Sequence, residues 1–351
     1  MQGMANGPAV RPAKANRFQR PISLVCTTWP DKVYFAVLLA SALCILPMTS
    51  LAQATAFAAT STPAGAATAA APELPTFTKD VQEVNLVLTV TNWLGHFVKD
   101  LNEEDIRILD NNQPAERITY FQTQTNLPLR VGIVMDASSS VTYRFKFEQR
   151  SAGSFLKRVL RRGSDSALLV SFDEQARLIQ PATDDHKTLS RSMTRLHPGG
   201  ETAVYDAVAF GCKELAKVHD TKPARRALIL ITDGEDNHSR ISLEQAVESA
   251  LRSETIVYVL STNPAYSTDL GDKGDTNMKK LAEATGGRLL RADTEDDVSR
   301  AFSKISRELR NQYAIGYRPP LGRPDGLFHR LIVVGPKRLH IYHRLGYFAA
   351  K

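Results

Sequence analysis

Two stretches, Leu228-Ile229-Leu230-Ile231 and Ile256-Val257-Tyr258-Val259-Leu260, are apolar without interruption. Runs of four or five such residues, rich in β-branched side chains, suit strands covered on both faces, and strands of that kind belong to parallel sheets flanked by helices. The surrounding chain has the matching alternation. From Leu129 onward, strands are expected at 130–135, 166–172, 227–231, 256–260 and 288–291, separated by helical patterns at 144–160, 203–218, 243–252, 278–284 and 296–310. The expected fold class is α/β, a doubly wound, mostly parallel, Rossmann-like sheet. Residues 177–180 fit an antiparallel edge strand in a hairpin with the strand before it.

Outside this region the pattern changes. Residues 85–91 alternate Leu86, Leu88 and Val90 against Val87, Thr89 and Thr91, Asn92-Trp93-Leu94-Gly95 reads as a turn, and 106–109 reads as a second strand. After Arg310, short strands are expected at 312–317, 327–334 and 339–342, punctuated by Pro319-Pro320, Pro324-Asp325-Gly326 and Gly335-Pro336. Neither set alone closes a core. The expected organisation is therefore a small all-β domain, built from residues 76–127 and 311–351, beside an α/β domain at 128–310.

The N-terminus reads as a targeting segment. Five basic residues (Arg11, Lys14, Arg17, Arg20, Lys32) precede an apolar run from Val33 to Leu46, and Ala52-Gln53-Ala54 follows Pro47. That is the order of a secretory signal peptide, here 1–54, with an uncleaved membrane anchor as the alternative. Residues 55–75, mostly Ala, Thr, Ser, Gly and Pro, read as a flexible linker. The expected location is outside the cytoplasm: periplasm, cell envelope or extracellular space. Of three cysteines, Cys26 and Cys44 fall in the targeting segment, so the mature chain keeps only Cys212, set in a helical pattern that suggests a buried thiol. Taking the first 54 residues from the totals of 44 basic and 37 acidic leaves 39 and 36, a net +3. That balance gives no basic footprint for nucleic acid, and the pairs Arg161-Arg162 and Arg225-Arg226 read as solvated element ends.

Chemistry concentrates in three loops. Asp136-Ala137-Ser138-Ser139-Ser140 follows the strand ending at Met135. Gly199-Gly200-Glu201-Thr202 precedes a helix, and Thr232-Asp233-Gly234 ends another strand, with Gly234 letting the chain turn sharply. In an open parallel sheet ligands bind beyond the carboxyl ends of the strands. A hard cation such as Mg²⁺ takes about six oxygen ligands near 2.1 Å, and carboxylates with small hydroxyls supply them. Taken singly, Asp136, Ser138 and Ser140 also suit helix caps, and Asp233 suits a turn. Jointly, oxygen side chains on three converging loops favour a metal site.

The order D-x-S-x-S, a Thr after a Gly-rich loop, and T-D-G closely resembles the von Willebrand factor type A fold and its metal-ion-dependent adhesion site, over roughly residues 129–310. The resemblance implies that Ser138, Ser140 and Thr202 hold the metal directly, and Asp136 and Asp233 directly or through water. Ser139 stands where Gly is usual, and Glu201 intervenes between the Gly pair and Thr202. Ser139, Glu201 and Gly234 are expected on the ligand-binding face. Segments 100–106, 309–319, 325–330 and 344–348 are similar to exported type A-related proteins common in Acidobacteria.

The implied function is binding of another protein, whose Asp or Glu carboxylate completes the coordination of Mg²⁺, or of Mn²⁺ or Ca²⁺. A membrane is implied only if the N-terminal segment stays as an anchor. The alternatives are a cell-envelope scaffold that binds through its β domain and a metal-dependent hydrolase. Catalysis is disfavoured: no nucleophile elbow or P-loop pattern is present, and His186, His197 and His238 qualify as bases by residue type alone.

Overall fold

The computed structural model describes residues 83–123, 127–218, 224–263, 269–320 and 325–350. The expected signal segment at 1–54 and linker at 55–75 lie outside them. In chain order the strands are β1 (Val84–Asn92), β2 (Arg107–Asp110), β3 (Gln113–Pro114), β4 (Arg117–Thr123), β5 (Leu129–Asp136), β6 (Ser166–Phe172), β7 (Ala176–Thr183), β8 (Arg225–Thr232), β9 (Thr255–Ser261), β10 (Leu289–Arg291), β11 (Gln312–Arg318), β12 (Phe328–Val334), β13 (Leu339–His343) and β14 (Gly346–Phe348). The helices are α1 (Phe145–Val159), α2 (His186–Met193), α3 (Val204–Ala216), α4 (Leu243–Arg252), α5 (Asp269–Ala284) and α6 (Glu295–Leu309).

The central sheet has six strands in the order β10-β9-β8-β5-β6-β7. Every neighbour pair is parallel except β6 and β7, so the edge hairpin expected around 177–180 is present. Helices cover both faces, which explains the unbroken apolar runs. One layer packs Val131, Ile133, Ile229 and Tyr258 under α1, α2 and α6, with Phe155 and Phe302 stacked 4.9 Å apart. The other packs Val134, Leu228, Leu230 and Val259 under α3, α4 and α5. Cys212 is fully buried in this second layer, as its helical surroundings suggested, and burial pushes its thiol up to about 12.

Two antiparallel sheets complete the architecture, ordered β13-β1-β11-β4 and β14-β12-β2-β3. Chain segments from both ends join in each: they alternate in the first, where β1 pairs with β11 and β13, and meet once in the second, where β2 pairs with β12. Leu86, Leu88, Ile108, Tyr313, Ile315 and Leu331 form the shared core. Within that core the Asp110 carboxylate accepts the hydroxyls of Tyr317 and Tyr347, both at 2.9 Å, and faces His329 Nδ1 at 3.0 Å. Strands β3, β4 and β14 carry no clear sequence pattern; β4 is only half buried and β3 exposed, so neither shows apolar alternation. Helix α2 was also illegible, and α5 begins well before 278.

The reading of Arg225-Arg226 as a solvated strand end needs correcting. Arg225 is only 4% exposed, at the first position of β8 beneath α6. No helix among the described residues is long and apolar enough to cross a membrane.

Candidate functional site

Parallel register sets the frame. Met135 on β5 lies level with Ser171 on β6 and Ile231 on β8, so Asp136 and Thr232 emerge together at the carboxyl end of the sheet. Asp136 is completely buried. Its Oδ1 accepts the Ser138 amide at 2.9 Å, and its Oδ2 accepts the Thr232 hydroxyl at 2.6 Å. Thr232 in turn accepts the Gly234 amide at 3.0 Å, which fixes the turn carrying Asp233. Gly234 makes that turn at φ +87°, where a side chain would be strained.

The remaining donors gather on the same face. Ser138 and Ser140 hydroxyls lie 3.0 Å apart, the first buried and the second exposed. The Ser139 amide and hydroxyl both donate to the Gly200 carbonyl at 3.1 Å, and the Gly199 amide donates to the Ala137 carbonyl at 2.7 Å. These bonds tie the Ser138 loop to the loop bearing Thr202, itself buried. The Thr202 amide donates to Asn237 Oδ1 at 2.9 Å, while the Thr202 carbonyl accepts the Asn237 and His238 amides. Glu201 is exposed and accepts Asn237 Nδ2 at 2.7 Å.

Helix α3 is capped from outside its own chain segment. Its N-cap is Ala203, which has no side-chain acceptor. Asp236 takes the Val204 amide at 2.8 Å, and Ser239 takes those of Tyr205 at 3.0 Å and Asp206 at 3.2 Å. A single loop, 233–239, thus carries Asp233 and also caps the helix that follows Thr202. Asp236, Asn237 and Ser239, and the positioning role of Thr232, escaped the sequence reading because their partners lie about 32 to 96 residues away in the chain.

The electrostatics suit a cation. Burial raises the Asp136 carboxyl to about 6 against the hydrogen bonds from Ser138 and Thr232, and the neighbouring Asp233 charge raises it further. Asp233 Oδ1 is buried with no hydrogen-bond partner. Beneath them Glu148 of α1 is fully buried with both oxygens unbonded. Burial lifts its carboxyl to about 8; Thr262 and Arg144 oppose the shift, Asp136 and Asp233 add to it. The Thr262 hydroxyl makes no hydrogen bond of normal geometry, so its pull is weak. Among the described residues no group of three or more His, Cys, Asp or Glu is placed to hold a metal; the expected set contains two carboxylates, and its other donors are hydroxyls.

Residues 131–235 match the family model for the von Willebrand factor type A domain. Calcium-activated chloride channel regulator 1 of Bos taurus is 25% identical over 185 residues, 50% of this chain and 19% of that protein. Among solved structures, a von Willebrand factor type A protein from Catenulispora acidiphila aligns at 13% identity and a TM-score of 0.44, covering 78% of this chain and 76% of that one. The von Willebrand factor domain of the type V pili tip protein Mfa5 from Porphyromonas gingivalis aligns at 16% identity and a TM-score of 0.42, covering 52% and 95%. The PilB minor pilin of Streptococcus sanguinis aligns at 17% and 0.42, and the match spans 63% of that chain. The matched stretch, residues 131–235, runs from β5 to the turn after β8, and it is over this part of the central sheet that the chain is similar to a von Willebrand factor type A domain.

Proposed function

We propose that this protein is an exported adhesion-type module that binds another protein through a divalent cation held by Asp136, Ser138, Ser140, Thr202 and Asp233. The observation that carries the reading is the carboxyl-end cluster. Asp136 is pinned by Ser138 and Thr232, next to a pair of hydroxyls and a second carboxylate with a buried, unbonded oxygen. A buried carboxylate beside a second, half-buried one is costly without a positive charge, and the donor set is the hard oxygen chemistry that Mg²⁺, Mn²⁺ or Ca²⁺ accepts.

When bound, the cation supplies a Lewis-acidic position with positive charge left over, because three of its proposed protein ligands are neutral hydroxyls. The chain's own part is to hold those oxygens still. Gly200 anchors Ser139, Asn237 anchors Thr202, and Thr232 orients Asp136. Ser139, Glu201 and Gly234 border the face on which an Asp or Glu of the partner docks. The leader-like sequence at 1–54 supports export, and the lack of a nucleophile-elbow or P-loop pattern in the sequence supports binding without turnover.

Two measurements test the reading. Mg²⁺ at about a hundred times its dissociation constant should stabilise the wild-type chain by about 2.7 kcal/mol, with no such gain for Asp136→Ala. A pull-down from the native cell envelope should recover a partner with wild type and Mg²⁺, and lose it with EDTA or with Asp136→Ala. Recovery indifferent to both overturns the proposal.

A further inference from the structure

At the end of the central sheet opposite Asp136, a cavity of about 580 Å³ opens between the β1 sheet and the first residues of β8 and β9. Leu86, Leu251 and Ile256 give it apolar walls, and three arginines, Arg225, Arg226 and Arg344, line it against one carboxylate, Glu254. Arg344 pairs with Glu254 at 3.3 Å. Arg225 and Arg226 have no ion pair among the described residues.

The first of these is the unusual one. Arg225 is buried, and among the described residues its terminal nitrogens donate only to neutral acceptors, the Leu309 and Leu127 carbonyls and Gln312 Oε1. The carboxylate nearest in effect, Asp165, is already shared by Arg161 and Arg310. In Arg225, Arg226 and Arg344 alike, Nε is buried with no hydrogen-bond partner. A buried donor left unbonded is unfavourable, more so when it is charged. Three such donors around one cavity, with two positive charges uncompensated, ask for an anion. The apolar walls ask that the anion have a hydrocarbon body.

We propose that this cavity binds a small organic anion, an apolar group carrying a carboxylate or phosphate head. Guanidinium donors suit both heads. The site is independent of the metal-dependent reading, since it lies at the other end of the sheet and shares none of its residues.

Calorimetric titration of the full chain with octanoate and, separately, octyl phosphate tests this. EDTA is kept present so that neither head can bind through a cation. Saturable binding of one equivalent is expected for at least one probe, and the tighter probe identifies the head. Arg226→Gln removes a side chain that makes no bond among the described residues, and should weaken binding about tenfold or more. Val87→Phe fills the cavity without altering an arginine and should abolish binding, whereas Arg191→Gln, exposed on α2, should bind as wild type. No saturable binding of either probe overturns the proposal, as does unchanged binding by Arg226→Gln or Val87→Phe. So does equal weakening by Arg191→Gln, which would mark a general charge effect.

Discussion

Replacing Asp236 by Ala removes the acceptor for the Val204 amide at 2.8 Å and for the Ser239 hydroxyl at 2.5 Å. Ala203 offers no substitute cap, so the first amide of α3 loses its partner. Losing a helix cap costs about 0.5–2 kcal/mol, and the half-buried setting of Asp236 puts the expected value near 1.5. For a domain of this size, that lowers the melting temperature by about 3–6 °C. Asp236→Asn keeps an oxygen acceptor and should fall by less than half as much. Both variants are melted in EDTA first, so that metal linkage does not contribute. Mg²⁺ is then titrated, and the loosened tie between the Thr202 and Asp233 loops should weaken Asp236→Ala about fivefold, equivalent to about 1 kcal/mol. An Asp236→Ala melt within about 1 °C of wild type, or an equal loss in Asp236→Asn, refutes the capping argument.

Other sites give further tests. Burial alone would raise the Asp165 carboxyl, but bonds from Arg161, Arg310 and two main-chain amides hold it at about 2. Its folded value therefore lies below the unfolded one of about 3.9, so its stabilisation is complete above that pH and fades as pH falls towards 2. Asp165→Asn should cost about 2 kcal/mol by urea unfolding at pH 7, with the gap to wild type narrowing by pH 3; a gap independent of pH contradicts the assignment. With its thiol buried and raised to about 12, Cys212 should resist a disulfide reagent in the native chain and react promptly in denaturant. Fast native labelling would contradict its burial. Asp110→Ala strands the hydroxyls of Tyr317 and Tyr347 beside His329, and should cost at least about 3 kcal/mol in urea. A near-neutral result would show that water readily replaces the carboxylate.

What the sequence disclosed follows from how far apart the bonded partners lie. Strands β5, β6, β8 and β9 are buried on both faces, so their identity is written into consecutive residues, and their boundaries came within about two positions. The edge strands lack that property. β4 is half exposed, and β3 is held by two residue pairs with β2, so neither needs an apolar pattern. Helix α2 has eight residues and buries only Leu189 and Met193, too short a repeat to stand out from a loop.

The candidate site divides along the same line. Its proposed oxygen donors were legible because each ends or begins a buried element and shares a short motif with its neighbours. The residues that hold those donors in place were not, because each acts across a fold-level gap: Thr232 on Asp136, Asn237 on Thr202, Asp236 on the start of α3. Arg225 shows the same effect in reverse. Two adjacent arginines at a strand start are usually solvated, and here the C-terminal β strands return over that end of the sheet and help enclose both beside a cavity. A motif specifies which atoms can act; the packing of distant segments decides which of them are left without a partner, and those are where a ligand has most to gain.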